Sequence, residues 1–181
     1  MNGIKDKKIA FLVANGFEEV ELSDPIEALK EAGAITTIVS IEEEKVRAWD
    51  KTDWGKDYSV DLHIDNAEAN NFDALVLPGG QLNPDFLRMN TKAVNFVKAF
   101  AQQEKLIAAI CHGPWMLIEA DLVRGKRMTS YPSIQTDMKN AGANWVDEEV
   151  VEDQGIITSR KPDDIPAFNK AIIEAFEQVT A

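Results

Sequence analysis

The sequence predicts an α/β fold in which a mostly parallel central sheet is covered by helices on both faces. Short, bounded apolar runs alternate with amphipathic stretches along most of the chain, and such runs read as strands buried on both sides. Three of the runs end in unusual residues: Asn15-Gly16-Phe17-Glu18, Pro78-Gly79-Gly80 and Cys111-His112. Ligands of open α/β sheets sit beyond the carboxyl ends of the strands, where these three segments would meet.

Ile9-Ala10-Phe11-Leu12-Val13-Ala14 is the first buried strand. The helix after it is expected to take Asp24 as its N-cap, with Pro25 at N1 and Glu27 at N3, and to close at Gly33. Ile35 to Ile41 is a β-branched strand. Residues 42–65 are mixed, with Gly55 read as a turn and Tyr58-Ser59-Val60-Asp61-Leu62 as a half-exposed strand. Asp73-Ala74-Leu75-Val76-Leu77 is buried, and Thr91 is read as the cap of a helix that aligns Val94, Val97 and Phe100-Ala101. Leu106-Ile107-Ala108-Ala109-Ile110 runs into Cys111, after which Gly113-Pro114 opens a helix bearing Trp115, Met116, Leu117 and Ile118. Proline suits a first helical turn because its missing N–H would have had no partner there.

Met128-Thr129 follows as a short strand, then a helix from Ile134 to Asn140 ended by Gly142. Val150-Val151 and Ile156-Ile157-Thr158 flank Asp153-Gln154-Gly155 as a hairpin-like pair. Ile165, Phe168, Ile172, Phe176 and Val179 make the apolar stripe of a last helix. With no repeat, low-complexity tract or linker, one domain over residues 1–181 is expected. Strands alternating with helices in this way give a doubly wound, flavodoxin-like sandwich.

Apolar residues at 45% and charged residues at 28% are those of a globular chain. A net charge of −12 argues against a nucleic-acid backbone or an anionic membrane as the main partner. No stretch approaches the roughly 20 apolar residues of a membrane span. The single cysteine cannot form an intrachain disulfide, and Met1 to Lys8 lacks a secretory pattern, so a cytoplasmic location is expected.

Cys111 falls at a strand-to-helix elbow, the arrangement that exposes a nucleophile in hydrolases. A helix N-terminus lowers a thiol from its usual pKa of about 8.5, and first-turn N–H groups can bond the anion, so an exposed and activated thiolate is expected. The chain has two histidines, His63 and His112. None follows position 112, which excludes a papain-like downstream histidine and the later His-x-Glu pair of triad amidotransferases. His63, between Leu62 and Ile64 in an edge strand, is expected to face solvent. His112 could reach the sulfur because an elbow is not regular helix, and it would need another group to orient it.

A carboxylate close to the sulfur would raise both pKa values, so Glu18 would work as a protonated carboxyl donating to S⁻. Glu19 and Glu21 are read as solvated acids. Gly79-Gly80 offers unhindered N–H groups of the kind an oxyanion hole needs. Tyr131 is placed at the pocket and Trp115 in the core, and Arg160 is read as structural. The sequence contains no metal-ligand cluster and no phosphate-binding glycine pattern, so neither metal nor cofactor is expected.

Four segments together resemble the PfpI family: Ala14-Asn15-Gly16-Phe17-Glu18-Glu19-Val20-Glu21-Leu22, Phe72-Asp73-Ala74-Leu75-Val76-Leu77-Pro78-Gly79-Gly80, Ala109-Ile110-Cys111-His112-Gly113-Pro114 and Thr129-Ser130-Tyr131-Pro132. The similarity continues through Asn140-Ala141-Gly142 and Trp145-Val146-Asp147 and spans about Lys8 to Phe176. This is the intracellular protease-like branch of the superfamily, within the class I glutamine amidotransferase-like group, that includes the Parkinsonism-associated protein deglycase. The resemblance implies Cys111 as nucleophile, Glu18 as the glutamate bonded to its sulfur, and the amides of Gly80 and His112 as oxyanion hole. It also implies a homodimer or hexamer with active sites near an interface, where an acid from a neighbouring subunit orients His112. Here that segment is Gln81-Leu82-Asn83-Pro84-Asp85, one residue longer than in the archaeal proteases. It offers Asp85 where they carry glutamate, which weighs against peptidase activity.

The resulting expectation is a cofactor-independent cysteine hydrolase of stress response, acting on reactive dicarbonyls or their protein adducts as a deglycase or glyoxalase. Small aldehydes and glycated proteins or peptides are its expected substrates. The alternatives are an intracellular cysteine peptidase and a non-enzymatic redox sensor or chaperone in which Cys111 is oxidised.

Overall fold

The computed structural model describes residues 3–178. In chain order the elements are β1 (Lys8–Val13), β2 (Phe17–Glu18), α1 (Glu19–Glu31), β3 (Ile35–Ser40), β4 (Lys45–Asp50), β5 (Asp53–Ser59), β6 (Leu62–His63) and β7 (Ala74–Leu77). Then come α2 (Leu82–Arg88), α3 (Thr91–Gln102), β8 (Leu106–Ile110), α4 (Pro114–Glu119), β9 (Arg127–Met128), α5 (Gln135–Asn140), β10 (Asn144–Trp145), β11 (Val151–Asp153), β12 (Ile156–Ser159) and α6 (Ile165–Gln178). Val179, assigned to the last helix from sequence, lies outside the described residues.

Seven strands form the central sheet in the order β11-β12-β8-β7-β1-β3-β6. Every pairing in it is parallel except the edge pair β11 and β12, which is antiparallel as the hairpin-like pattern suggested. Side chains of a strand alternate between faces, and β1 shows the result. Ile9, Phe11 and Val13 pack with Leu22, Leu29, Phe168 and Ile172 of α1 and α6. Ala10 and Leu12 face Val97, Phe100, Met116 and Leu117 of α3 and α4. Both faces are therefore covered, and the α/β sandwich holds.

Several boundaries differ from those read in the sequence. α1 begins at Glu19, five residues before Asp24, and Pro25 lies inside it. Proline there cannot donate the N–H that would bond the carbonyl four residues back, on Glu21. The helix forms nonetheless because Leu22, Pro25 and Leu29 share one buried face. α3 is capped by Asn90, whose side chain accepts the Ala93 N–H at 3.0 Å, rather than by Thr91. The segment Gln81 to Asp85 runs into a helix, α2, which begins at Leu82.

Residues 45–59 form a β4–β5 hairpin that turns at Lys51-Thr52, and Gly55 lies within β5. β2 pairs in parallel with β4, so this three-stranded sheet stands apart from the main one. The turn after β1 anchors it: the Gly16 N–H donates to the Arg47 carbonyl and the Asn15 side chain accepts the Arg47 N–H, both at 2.8 Å. The hairpin is thereby suspended beside the carboxyl ends of the main strands.

Candidate active site

β8 ends at Ile110 and delivers Cys111 into the left-handed region, at φ 63°. Two backbone bonds fix it there: its N–H donates to the Ser159 carbonyl at 3.0 Å, and its carbonyl accepts the Tyr131 N–H at 2.8 Å. Such strain in a non-glycine residue persists only where the surroundings over-determine it, and it concentrates at functional sites. The sulfur accepts backbone N–H groups of Gly80 and His112, the two amides singled out for an oxyanion hole.

Cys111 is only 6% exposed, against the expectation of a bare sulfur. Burial, then the neighbouring carboxyl of Glu21, push the thiol pKa up, while the two backbone donors pull it down. The direction is thus opposite to the one expected from the helix N-terminus. α4 has six residues, and desolvation outweighs so short a dipole.

The acid against the sulfur is Glu21, in place of Glu18. Because α1 starts early, Glu21 lies in its first turn and points inward, fully buried. Its Oε2 accepts the Gly79 N–H at 2.7 Å, its Oε1 finds no nitrogen or oxygen partner, and the carboxyl interacts with the Cys111 side chain. Burial raises its pKa to about 8. Glu18 lines the same cavity but turns away, its Oε1 accepting the Lys51 N–H at 3.2 Å. Burial raises its pKa too. The signal for Glu21 was available in principle: with α1 starting at Glu19, Glu21 and Leu22 fall on the face shared with Pro25 and Leu29.

Gly79 makes this approach possible. A Cβ there would stand 2.6 Å from Cys111 Cβ and 2.6 Å from Glu21 Oε2. Gly80, at φ +75°, turns its N–H toward the sulfur in a conformation L side chains avoid. Asn83, which the sequence reading did not single out, clips the loop to β1. It is fully buried, accepts the Ala14 N–H at 2.6 Å, and donates to the carbonyls of Pro78 and Gly79 at 3.0 Å each.

His112 is buried beside the sulfur, with Nδ1 3.3 Å from Sγ. The group that orients it is Ser133, whose hydroxyl lies 3.2 Å from Nε2. Tyr131 stacks on the imidazole at 4.9 Å between centroids, and Trp115 meets it edge-on at 5.1 Å. Burial lowers its pKa to about 4, so the ring is neutral at pH 7.

Other expected residues fall outside this cluster. Asp85 is exposed on the first turn of α2 and lines a surface groove with Arg88, Thr91 and Glu119, away from the Cys111 cavity. His63 is half-buried rather than solvent-facing and reaches the Ile41 carbonyl at 3.2 Å. Trp115 packs against the core and donates to Asp137 at 3.0 Å. Arg160 pairs with Asp164 and Asp147. No group of three or more His, Cys, Asp or Glu that could hold a metal is assembled among the described residues.

A cavity of about 550 Å³ opens onto the sulfur, lined by Glu18, Glu21, Gly80, Cys111, His112 and Tyr131, with Trp49 and Lys51 of the hairpin on its far side. The wall thus joins a thiol at a strained strand-to-helix turn, an acid from the first turn of α1 and the amide of a glycine after β7. Residues 7–175 match the DJ-1/PfpI family. The chain belongs to that family. It is 45% identical to General stress protein 18 of Bacillus subtilis, over 95% of this chain and 99% of that one. It is 43% identical to Deglycase PH1704 of Pyrococcus horikoshii, over 92% of this chain and 98% of the relative. The crystal structure of Drosophila melanogaster DJ-1beta superposes with a TM-score of 0.86 at 29% identity, covering 94% of this chain and 90% of the other. The chain is thus an enzyme of the PfpI type with a DJ-1-like fold, and no helix among its described residues is long and apolar enough to cross a membrane.

Proposed function

We propose that the protein is a cofactor-independent cysteine hydrolase that removes reactive dicarbonyls from their early adducts with proteins or small thiols. The observation that carries this reading is the trio of Cys111 sulfur, protonatable Glu21 and neutral His112 around one cavity wall. Cys111 adds to the aldehyde carbon of the dicarbonyl, releasing the thiol or amine that held it. The Gly80 and His112 amides, which serve the sulfur at rest, then face the oxyanion of the hemithioacetal. Glu21 or His112 moves the proton from C1 to C2 and gives a lactoyl thioester on Cys111. Water releases lactate, and the thiol and carboxyl recover their protons.

Glu21 and Cys111 titrate together, and burial holds at least one proton on the pair at neutral pH. That proton rests on Glu21 when the sulfur is anionic, with the otherwise unpartnered Oε1 as its seat. A carboxyl raised to about 8 is matched to proton transfer near neutrality. The cavity falls in the range of about 300–1,000 Å³ that holds drug-sized ligands. At 550 Å³ it favours an adduct over a free three-carbon dicarbonyl.

A stress role in the cytoplasm is supported by the likeness to a general stress protein and by the lone, unbridged cysteine. Assembly as a homodimer or hexamer is supported by the exposed apolar residues Leu82 and Phe86 of α2 and Met89 at its end, of which Leu82 reaches the cavity. Asp85, on the same helix, could act only toward a second copy. The test is lactate release from a methylglyoxal hemithioacetal by the purified protein, beside cleavage of a fluorogenic peptide. Lactate formation lost in Cys111→Ser supports the reading; peptide cleavage without lactate overturns it in favour of a peptidase.

A further inference from the structure

The tip of the β4–β5 hairpin holds Lys51 in a conformation that its own sequence does not favour. Its φ is 57°, in the left-handed region, and the residue is not glycine, asparagine or aspartate. Two cavity-lining side chains lock it: Glu18 Oε1 accepts its N–H at 3.2 Å, and Trp49 Nε1 donates to its carbonyl at 3.0 Å. Both backbone groups are thus committed to the cavity wall. The side chain is not. Its ammonium forms no hydrogen bond or ion pair among the described residues, although its charge is felt by the Glu18 carboxyl and Asp50 and Asp53 lie close in the chain.

Lys51 is also the one cationic residue lining the cavity, since His112 is neutral. The setting makes this informative. The chain carries a net charge of −12, so its overall field repels anions. That field is screened over about 8 Å at physiological salt, so the groups on the cavity wall weigh most there, and Lys51 is the one among them that attracts an anion. An exposed, strained cation held by two side-chain bonds across the cavity from the nucleophile is a constraint that packing does not require.

We propose that Lys51 is a specificity-determining residue that engages an anionic group on the electrophile approaching Cys111. The preferred substrates are then hemithioacetals whose thiol portion carries a free carboxylate, as a cysteine-type small thiol does. The carboxylate sits at the hairpin, the reacting carbon at the sulfur, and the thiol chain fills the cavity between them. This rests on the dicarbonyl-adduct reading above for the substrate, while the charge preference itself belongs to the cavity.

The first measurement is the rate of Cys111 alkylation by iodoacetate relative to iodoacetamide, which is independent of turnover because the chain has one thiol. The wild-type ratio should exceed that of glutathione at the same pH by about fivefold or more. Lys51→Gln should bring it to the glutathione value, and Lys51→Arg should keep it. The second measurement compares methylglyoxal hemithioacetals of N-acetylcysteine and of its neutral amide. The carboxylate form should win in kcat/KM by about tenfold, mainly through KM, and Lys51→Gln should erase the preference. Equal alkylation ratios in wild type and Lys51→Gln would overturn the proposal. Anion-selective alkylation without lactate from either adduct would keep the cation site and remove the adduct chemistry. Equal turnover of both adducts would do the reverse.

Discussion

The elbow around Cys111 and the hairpin beside it are built by opposite rules. At the elbow almost everything is buried: backbone bonds to Ser159 and Tyr131 hold Cys111, and the buried side chains of Glu21 and Asn83 hold Gly79 and the loop. In the hairpin the strands are mostly exposed, and acceptor side chains from residues 15–19 hold its edge. Asn15 takes the Arg47 N–H, Glu18 that of Lys51, and Glu19 that of Lys56 at 3.1 Å and the Tyr58 hydroxyl at 3.2 Å. One short acidic run divides its labour: Glu18 and Glu19 fasten the wall, and Glu21 alone turns to the sulfur. Rigid placement is spent on the reacting atoms, and the wall that meets the substrate is left open to change.

This contrast can be broken first at its centre. Cys111→Ala should abolish lactate formation, a loss of about 10³-fold or more, because no other thiol can form the intermediate. Glu21→Gln should lower kcat by about 10²–10⁴-fold while iodoacetamide still alkylates Cys111 at pH 7, since the amide can donate to S⁻ but cannot carry a proton. An unchanged kcat in this variant would show that Glu21 only packs.

The same substitution carries a pH signature. A carboxyl raised from 4.5 to about 8 by folding binds a proton that the unfolded chain has already lost. Its contribution is whole below pH 4.5 and fades as pH rises toward 8. Glu21→Gln should therefore gain stability over wild type across that interval, with a Tm difference of roughly 5 °C or more above pH 8. His112, lowered from 6.5 to about 4, acts in the opposite sense. Its neutral ring stabilises above pH 6.5 and that part is lost as pH falls toward 4, so thermal melts of wild type against His112→Gln should converge on acidification.

Smaller effects separate clip from wall. Asn83→Ala leaves the Ala14 N–H and two carbonyls without their partner and should cost about 1–3 kcal/mol in chemical denaturation. Trp54→Ala removes the edge-on contact with Trp49 at 5.5 Å and the Arg47 guanidinium over its ring. Its cost should be about 1 kcal/mol or less, with little change in Cys111 alkylation.

Much of this was legible in the chain. The buried strands, the antiparallel edge pair, the elbow at Cys111 and the flanking glycines all follow from short apolar runs and the residues that end them. Glu21 was missed for a specific reason: Pro25 reads as a first-turn residue, which starts the helix too late and leaves Glu21 in a loop. Packing of Leu22 and Leu29 overrides that local preference. The thiol's pKa was expected in the wrong direction because sequence displays a helix start but not the depth at which the sulfur lies. Ser133 and Asn83 are short polar residues that reach His112 and Ala14, both distant in the chain, and no periodicity announces them.

The separation of the three-stranded sheet from the main one has a further consequence. Residues 51–52 can be lengthened, shortened or exchanged without disturbing any strand of the seven, because the hairpin meets the main fold through the turn after β1, Glu19 and the buried Val46 and Ala48 rather than through its tip. The molecule is in this sense modular: a replaceable cassette is bolted to a fixed reactor. Directed libraries confined to that tip should retune which electrophiles are admitted while leaving the thiol's own machinery intact.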